Sequence, residues 1–208
     1  MLSTQGIHFQ YPEGDSFHFP DITLKDKEHL VILGPSGAGK TTLLHLLSGL
    51  LPVTKGSIKI HDTEISSLGR QELDRFRATQ IGLIFQRYHF IKSLNLEENL
   101  ALRQYYPGKQ VDKKRRAAII ERLGLQPHLK KKVTQLSQGQ QQRLSIALGL
   151  IHQPKVVFAD EPTSNLDDDN CKKVLELLKE EAELSSSSLV IITHDQRVKT
   201  YFKNQIVL

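Results

Sequence analysis

The segment Gly34-Pro35-Ser36-Gly37-Ala38-Gly39-Lys40-Thr41 constrains this chain more than any other. It fits G-x-x-x-x-G-K-[ST] and lies between the apolar run 30–33 and the helix-patterned run 42–50. A strand, a glycine-rich turn and a helix in that order make a phosphate cradle. The glycines let backbone N–H groups wrap an anion, and the helix N-terminus adds its dipole. At ordinary residue frequencies such a match arises in about one chain in a hundred of this length, and the correct flanks make chance rarer still. Gly34, Ser36, Gly37, Gly39 and Thr42 are therefore expected around the phosphates. Lys40 should reach the β- and γ-phosphates, and the Thr41 hydroxyl should ligate Mg²⁺.

Around this segment, short β-branched runs alternate with longer amphipathic ones, which predicts an α/β chain with a mostly parallel sheet. Strands are expected at residues 6–10, 16–19, 29–33, 57–61, 81–85, 156–160, 189–193 and 205–208. Helices are expected at 39–49, 70–78 and 168–184, the last entered through three carboxylates, Asp167, Asp168 and Asp169, that suit a helix N-terminus. Between 88 and 153 the alternation stops: residues 95–106, 112–123 and 137–152 read as helices with no convincing strand between them. This predicts a helical subdomain inserted in a nucleotide-binding core made of residues 1–87 and 154–208. The 208 residues, 38% apolar and 25% charged, suit one domain carrying such a subdomain and exclude disordered or membrane-spanning classes. A lone cysteine, Cys171, and the lack of a signal-peptide pattern after Met1 lead us to expect a reducing cytoplasm. The net charge of +5 permits contact with nucleic acid or anionic lipid but falls short of a polybasic binder, and the basic runs 113–116 and 130–132 read as solvated surface.

A second chemical signal is the apolar strand 156–160, which ends in Asp160-Glu161. Parallel α/β sheets bind ligands at such strand ends. With a phosphate loop upstream, Asp160 is expected to hold Mg²⁺ and Glu161 to orient or deprotonate the water that attacks the γ-phosphate. Between these two signals lies Leu136-Ser137-Gln138-Gly139-Gln140, opening an amphipathic helix.

Taken in this order, the motifs resemble those of the ATP-binding cassette (ABC) ATPases over essentially the whole chain. The resemblance implies a P-loop NTPase fold with a mostly parallel central sheet, a small N-terminal antiparallel β-subdomain and the inserted helical subdomain. It implies Mg²⁺-dependent ATP hydrolysis at composite sites. Lys40, Thr41, Gln86, Asp160, Glu161 and His194 would act from one subunit; Ser137 and Gly139 of the signature, with Asp167 of the Ser164-Asn165-Leu166-Asp167 loop, would act from the other. Tyr11 resembles the aromatic that stacks on adenine, Gln86 the glutamine that touches Mg²⁺ or water, and His194 the switch histidine at the γ-phosphate.

Two positions depart from the family pattern: Gln138 replaces the first signature glycine, and Leu148 stands where many members carry arginine. The partners implied are a second copy of the chain and a separately encoded integral membrane subunit, with the protein peripheral on the cytoplasmic face of the membrane. The stretch Phe85-Gln86-Arg87-Tyr88-His89-Phe90-Ile91 resembles the macrolide-exporter and lipoprotein-releasing group. An importer cassette and a cell-division type regulator of an envelope enzyme stay open as alternatives. A DNA- or ribosome-associated ATPase fits less well, because those relatives need insertions or a second cassette that 208 residues leave no room for.

Overall fold

The computed structural model describes residues 1–105, 112–164 and 166–208; Asn165 and the expected helix end at Tyr106 lie outside them. The chain runs through β1 (Leu2–Gln10), β2 (Ser16–His18), β3 (Thr23–Leu24), β4 (His29–Leu33), α1 (Lys40–Leu47), β5 (Lys55–Ile60), β6 (Thr63–Glu64), α2 (Arg70–Gln80) and β7 (Ile81–Ile84). It continues through α3 (Leu96–Tyr105), α4 (Lys113–Arg122), α5 (Gln138–Leu150), β8 (Val156–Asp160), α6 (Asp168–Leu184), β9 (Ser188–Thr193) and β10 (Asn204–Val207).

Each expected strand and helix is present within a few residues of its expected limits. The two-residue strands β3 and β6 are too short to show a period in sequence. The first strand starts at Leu2 rather than residue 6, because a register shift between Gln5 and His8 breaks the in-out alternation that sequence reading relies on.

The strands form two sheets. One is entirely parallel, in the order β10-β4-β9-β8-β7, and the other is antiparallel, in the order β2-β1-β5-β6 with β3 beside β1. Apart from the exposed edge strand β10, the parallel strands are apolar on both faces, so alternate residues serve two cores. Val31, Leu33, Val157, Ala159, Leu189 and Ile191 join the cluster that receives α3, α4, α5 and α6. Leu30, Ile32, Val156, Phe158, Val190 and Ile192 join the cluster shared with α1 and the antiparallel sheet. Phe158 is fully buried there; truncating it to Ala should cost about 3–5 kcal/mol.

Among the described residues of 88–153 lie the helices α3, α4 and α5, with 3-10 turns at Gln126–His128 and Val133–Gln135 between α4 and α5. A lone bridge between Asn95 and Lys132 is the only strand-type pairing among the described residues of this stretch. Helix α5 lies directly on β7: a Cβ on Gly82 would stand 2.2 Å from the Gly149 carbonyl oxygen, and one on Gly149 would stand 2.8 Å from Ile84 Cγ1. Two glycines thus bring the helix that begins at the signature into backbone contact with the strand that precedes Gln86.

Candidate active site

The sheet order decides which side chains meet. Strands β4, β9 and β8 are neighbours, so their C-terminal ends deliver the phosphate loop, Thr193-His194 and Asp160-Glu161 to one place. A cavity of ≈ 620 Å³ opens there, lined by Asp15, Phe17, Ser36, Gly37, Gly39, Lys40, Thr41, Thr42, Gln86, Glu161 and His194.

Gly39 caps α1 in the left-handed region at φ 83°, and a Cβ on it would meet the Phe17 ring at 2.6 Å. Position 39 therefore requires glycine for both conformation and contact. Lys40 is only 7% exposed. Its Nζ donates to the Gly34 and Pro35 carbonyls at 2.9 Å each and stands 4.0 Å from Glu161 Oε1. The Thr41 hydroxyl donates to Asp160 Oδ2 at 3.3 Å. Asp160 Oδ1 is buried and has no hydrogen-bond partner among the described residues. Burial pushes the Asp160 carboxyl above its ordinary range, against the opposing bond from Thr41. A buried carboxylate oxygen without a donor suits a cation.

Glu161 has φ 47°, a left-handed conformation for a non-glycine residue; such strain costs on the order of 1–3 kcal/mol and concentrates at functional sites. Three groups hold its carboxylate: the Thr193 hydroxyl on Oε2 at 2.7 Å, the His194 N–H on Oε1 at 3.1 Å, and His194 Nδ1 on Oε1 at 2.7 Å. A carboxylate only accepts, so Nδ1 carries a proton and Nε2 is the ring's second hydrogen-bonding point. The His194 side chain is 64% exposed.

The remaining expected residues lie elsewhere. Ser137 caps α5: its Oγ accepts from Gln140 N at 3.3 Å while Gln140 Oε1 accepts from Ser137 N at 2.9 Å, a reciprocal capping box. Among the described residues, nothing beyond its own helix lies within 4 Å of a Cβ placed on Gly139, so the backbone there is open to an approaching group. Asp167 caps α6, accepting from Asn170 N and Nδ2 at 2.8 Å each, bonds that hold its carboxyl below the usual range. Gly139 and Asp167 line a separate ≈ 560 Å³ cleft with Gln138, Gln142, Arg143 and Asn170. Gln138 and Gln142 also line a further cleft with Gln86, Tyr88 and Glu161.

Tyr11 is 37% exposed and is not among the residues lining the phosphate cavity. Its hydroxyl bonds Thr42 Oγ1 at 3.1 Å, and its ring packs edge-on against Phe9 and Phe17. Leu148 sits with Leu50, Phe85, Phe90 and Leu102 in an apolar cleft of ≈ 510 Å³.

Sequence reasoning missed Asp15 and Phe17 as cavity walls, Thr193 as a holder of Glu161, and Gln142, whose Nε2 donates to the Pro162 carbonyl at 2.7 Å. It also missed Asp195 and Arg197. The polar pair Thr193-His194 at an apolar strand's end was the available signal for Thr193; Phe17 carried none, because an aromatic in a short strand reads as core.

The family model described as "ABC transporter" matches residues 18–164. The chain is 36% identical over 214 residues to the lipoprotein-releasing system ATP-binding protein LolD of Legionella pneumophila (strain Paris), covering 100% of this chain and 94% of that protein. It is 36% identical over 207 residues to the macrolide export ATP-binding/permease protein MacB of Nitrosomonas europaea, covering 95% of this chain but 31% of that one. Among solved structures, the ATP-binding cassette MJ0796, a dimer in a post-hydrolysis state bound to ADP and Pi, superposes with a TM-score of 0.88 at 30% identity, covering 100% of this chain and 94% of that one.

Proposed function

The chain belongs to the ABC transporter family, and from that premise we propose that it hydrolyses ATP at sites shared between two copies and so drives a separate membrane subunit. The observation that carries this reading is the meeting of Lys40, Thr41, Asp160, Glu161 and His194 at three adjacent strand ends. The relatives' names and the dimeric, ADP-bound cassette support the same activity and assembly.

The phosphate loop's N–H groups and the α1 N-terminus bind the β- and γ-phosphates. Lys40 transfers its ammonium from the Gly34 and Pro35 carbonyls to those phosphates. Asp160, with its unpartnered Oδ1, and Thr41 and Gln86 would hold Mg²⁺, which on binding neutralises phosphate charge. Glu161, fixed by Thr193 and His194, orients the attacking water and takes its proton. His194 meets the γ-phosphate through Nε2. The partner's Ser137 N-cap and open Gly139 backbone close on the same phosphate, with Asp167 beside them. Because phosphoryl transfer depends chiefly on positioning and charge, the isolated chain binds ATP but turns it over slowly.

Among the described residues no helix is long and apolar enough to cross a membrane. In the proposed reading, membrane association runs through another chain, at the cytoplasmic face. Similarity to LolD and MacB supports the lipoprotein-release and macrolide-export type. A photo-crosslinking residue in place of Tyr88, which stacks on Phe90 beside the Gln86 cleft, tests it in native membranes. Capture of a few-span protein with a large external domain is expected. A many-span permease would move the chain to the importers, and nucleic-acid or ribosomal components alone would overturn transport.

A further inference from the structure

Arg197 makes more bonds than any role in the mechanism above requires. It stands in a 3-10 turn, Gln196–Tyr201, capped by Asp195, which directly follows His194. Its Nε donates to Asp195 Oδ1 at 2.9 Å and its Nη2 to Asp195 Oδ2 at 2.8 Å, a two-pronged grip. The far edge of the same guanidinium reaches the loop before α6: Nη1 and Nη2 donate to the Leu166 carbonyl at 3.1 and 3.2 Å, and Nη1 donates to Asp168 Oδ1 at 2.6 Å. Leu166 and Asp168 flank Asp167.

The other side of Asp195 leads back to the reacting water's base. Thr163 donates to Asp195 Oδ2 at 2.8 Å, and Asp195 N donates to Thr193 Oγ1 at 3.0 Å, the hydroxyl that holds Glu161 Oε2. One continuous set of bonds therefore runs from Glu161 through Thr193, Asp195 and Arg197 to both neighbours of Asp167. The Arg197 guanidinium holds the Asp195 carboxyl down to about 2, so the link stays charged throughout the physiological range.

We propose that Arg197 is a positioning residue that locks the loop presenting Asp167 to the segment holding Glu161 and His194, so that contact with the second copy at Asp167 sets the geometry of this chain's own hydrolytic carboxylate. The inference rests on the composite-site reading. A planar fork is required: lysine's three donors radiate from one nitrogen and cannot reproduce the two-pronged grip on Asp195 while also spanning to the Leu166 carbonyl and Asp168.

The test compares ATP hydrolysis and ATP binding in wild type, Arg197→Ala, Arg197→Lys, Asp167→Ala and the Arg197→Lys/Asp167→Ala double variant, with Ser137→Arg alongside. Both Arg197 variants should lower kcat about 10-fold while changing ATP affinity less than about twofold, and lysine should recover thermal stability without recovering rate. In the Arg197→Lys background, Asp167→Ala should cost at most about a further twofold, because the route it acts through is already cut. An unchanged kcat, full rescue by lysine, additive losses in the double variant, or loss of ATP affinity in step with kcat would each overturn the proposal. Full activity in Ser137→Arg would instead overturn the composite site beneath it.

Discussion

The two ends of the proposed site are built differently. On the phosphate-loop side, Lys40, Thr41, Asp160, Glu161, Thr193 and His194 are bonded to one another or to their own loop within one chain. On the signature side, Ser137 and Asp167 each bond, among the described residues, only their own helix's first turn, and Gly139 faces open space. The first side is organised before any ligand arrives. The second is capped for its own stability and leaves its backbone to be met by something else. On the proposed composite-site reading, a chain that carries both, lining separate clefts, holds half of a site at each end, which is the logic of a dimer with two sandwiched nucleotides.

Substitutions on the two sides should therefore fail differently. Lys40→Ala removes the buried ammonium of the organised side and should lower turnover by on the order of 10³-fold or more with weakened ATP binding, read as phosphate release and nucleotide titration. Ser137→Arg crowds the presented side; hydrolysis should fall on the order of 10²-fold while the monomer's ATP affinity stays within about twofold. If both constants fell together, the two ends would not be separable.

Smaller effects probe the organised side without nucleotide. The Asp160 carboxyl lies above its ordinary range in the folded protein, so its ionised form destabilises the apo fold at neutral pH. Asp160→Asn should raise the apo protein's stability by about 1 kcal/mol, and that gain should disappear as pH falls below the ordinary aspartate range. Asp195 is the opposite case, with its carboxyl lowered from 3.8 to about 2 by Arg197, with help from Thr163. Its contribution should be complete above pH 3.8 and lost as pH falls toward about 2; Asp195→Asn should flatten that limb of an acid-unfolding curve.

Much of this contrast was legible in sequence because its parts are local. The phosphate loop, the Asp160-Glu161 strand end and the Ser137 cap each depend on a few consecutive residues. The inner parallel strands β4, β8 and β9 were also legible, as short apolar, β-branched-rich runs buried on both faces. What stayed hidden depends on pairing at long range. Phe17 reaches the cavity because β2 folds back on β1, and Arg197 matters because β9 and β8 are neighbours, which brings its turn against the loop at Leu166. The second cavity wall, Asp15, lies just before a three-residue strand whose exposed-looking pattern gave no hint of a site.

The central claim is that the presented side of one copy completes the organised side of another. Static light scattering of Glu161→Gln and of Glu161→Gln/Ser137→Arg, each with saturating ATP and Mg²⁺ and with binding confirmed for both, tests it most directly. The account expects a dimer for the first and a monomer for the second. Two dimers, or two monomers, would contradict it.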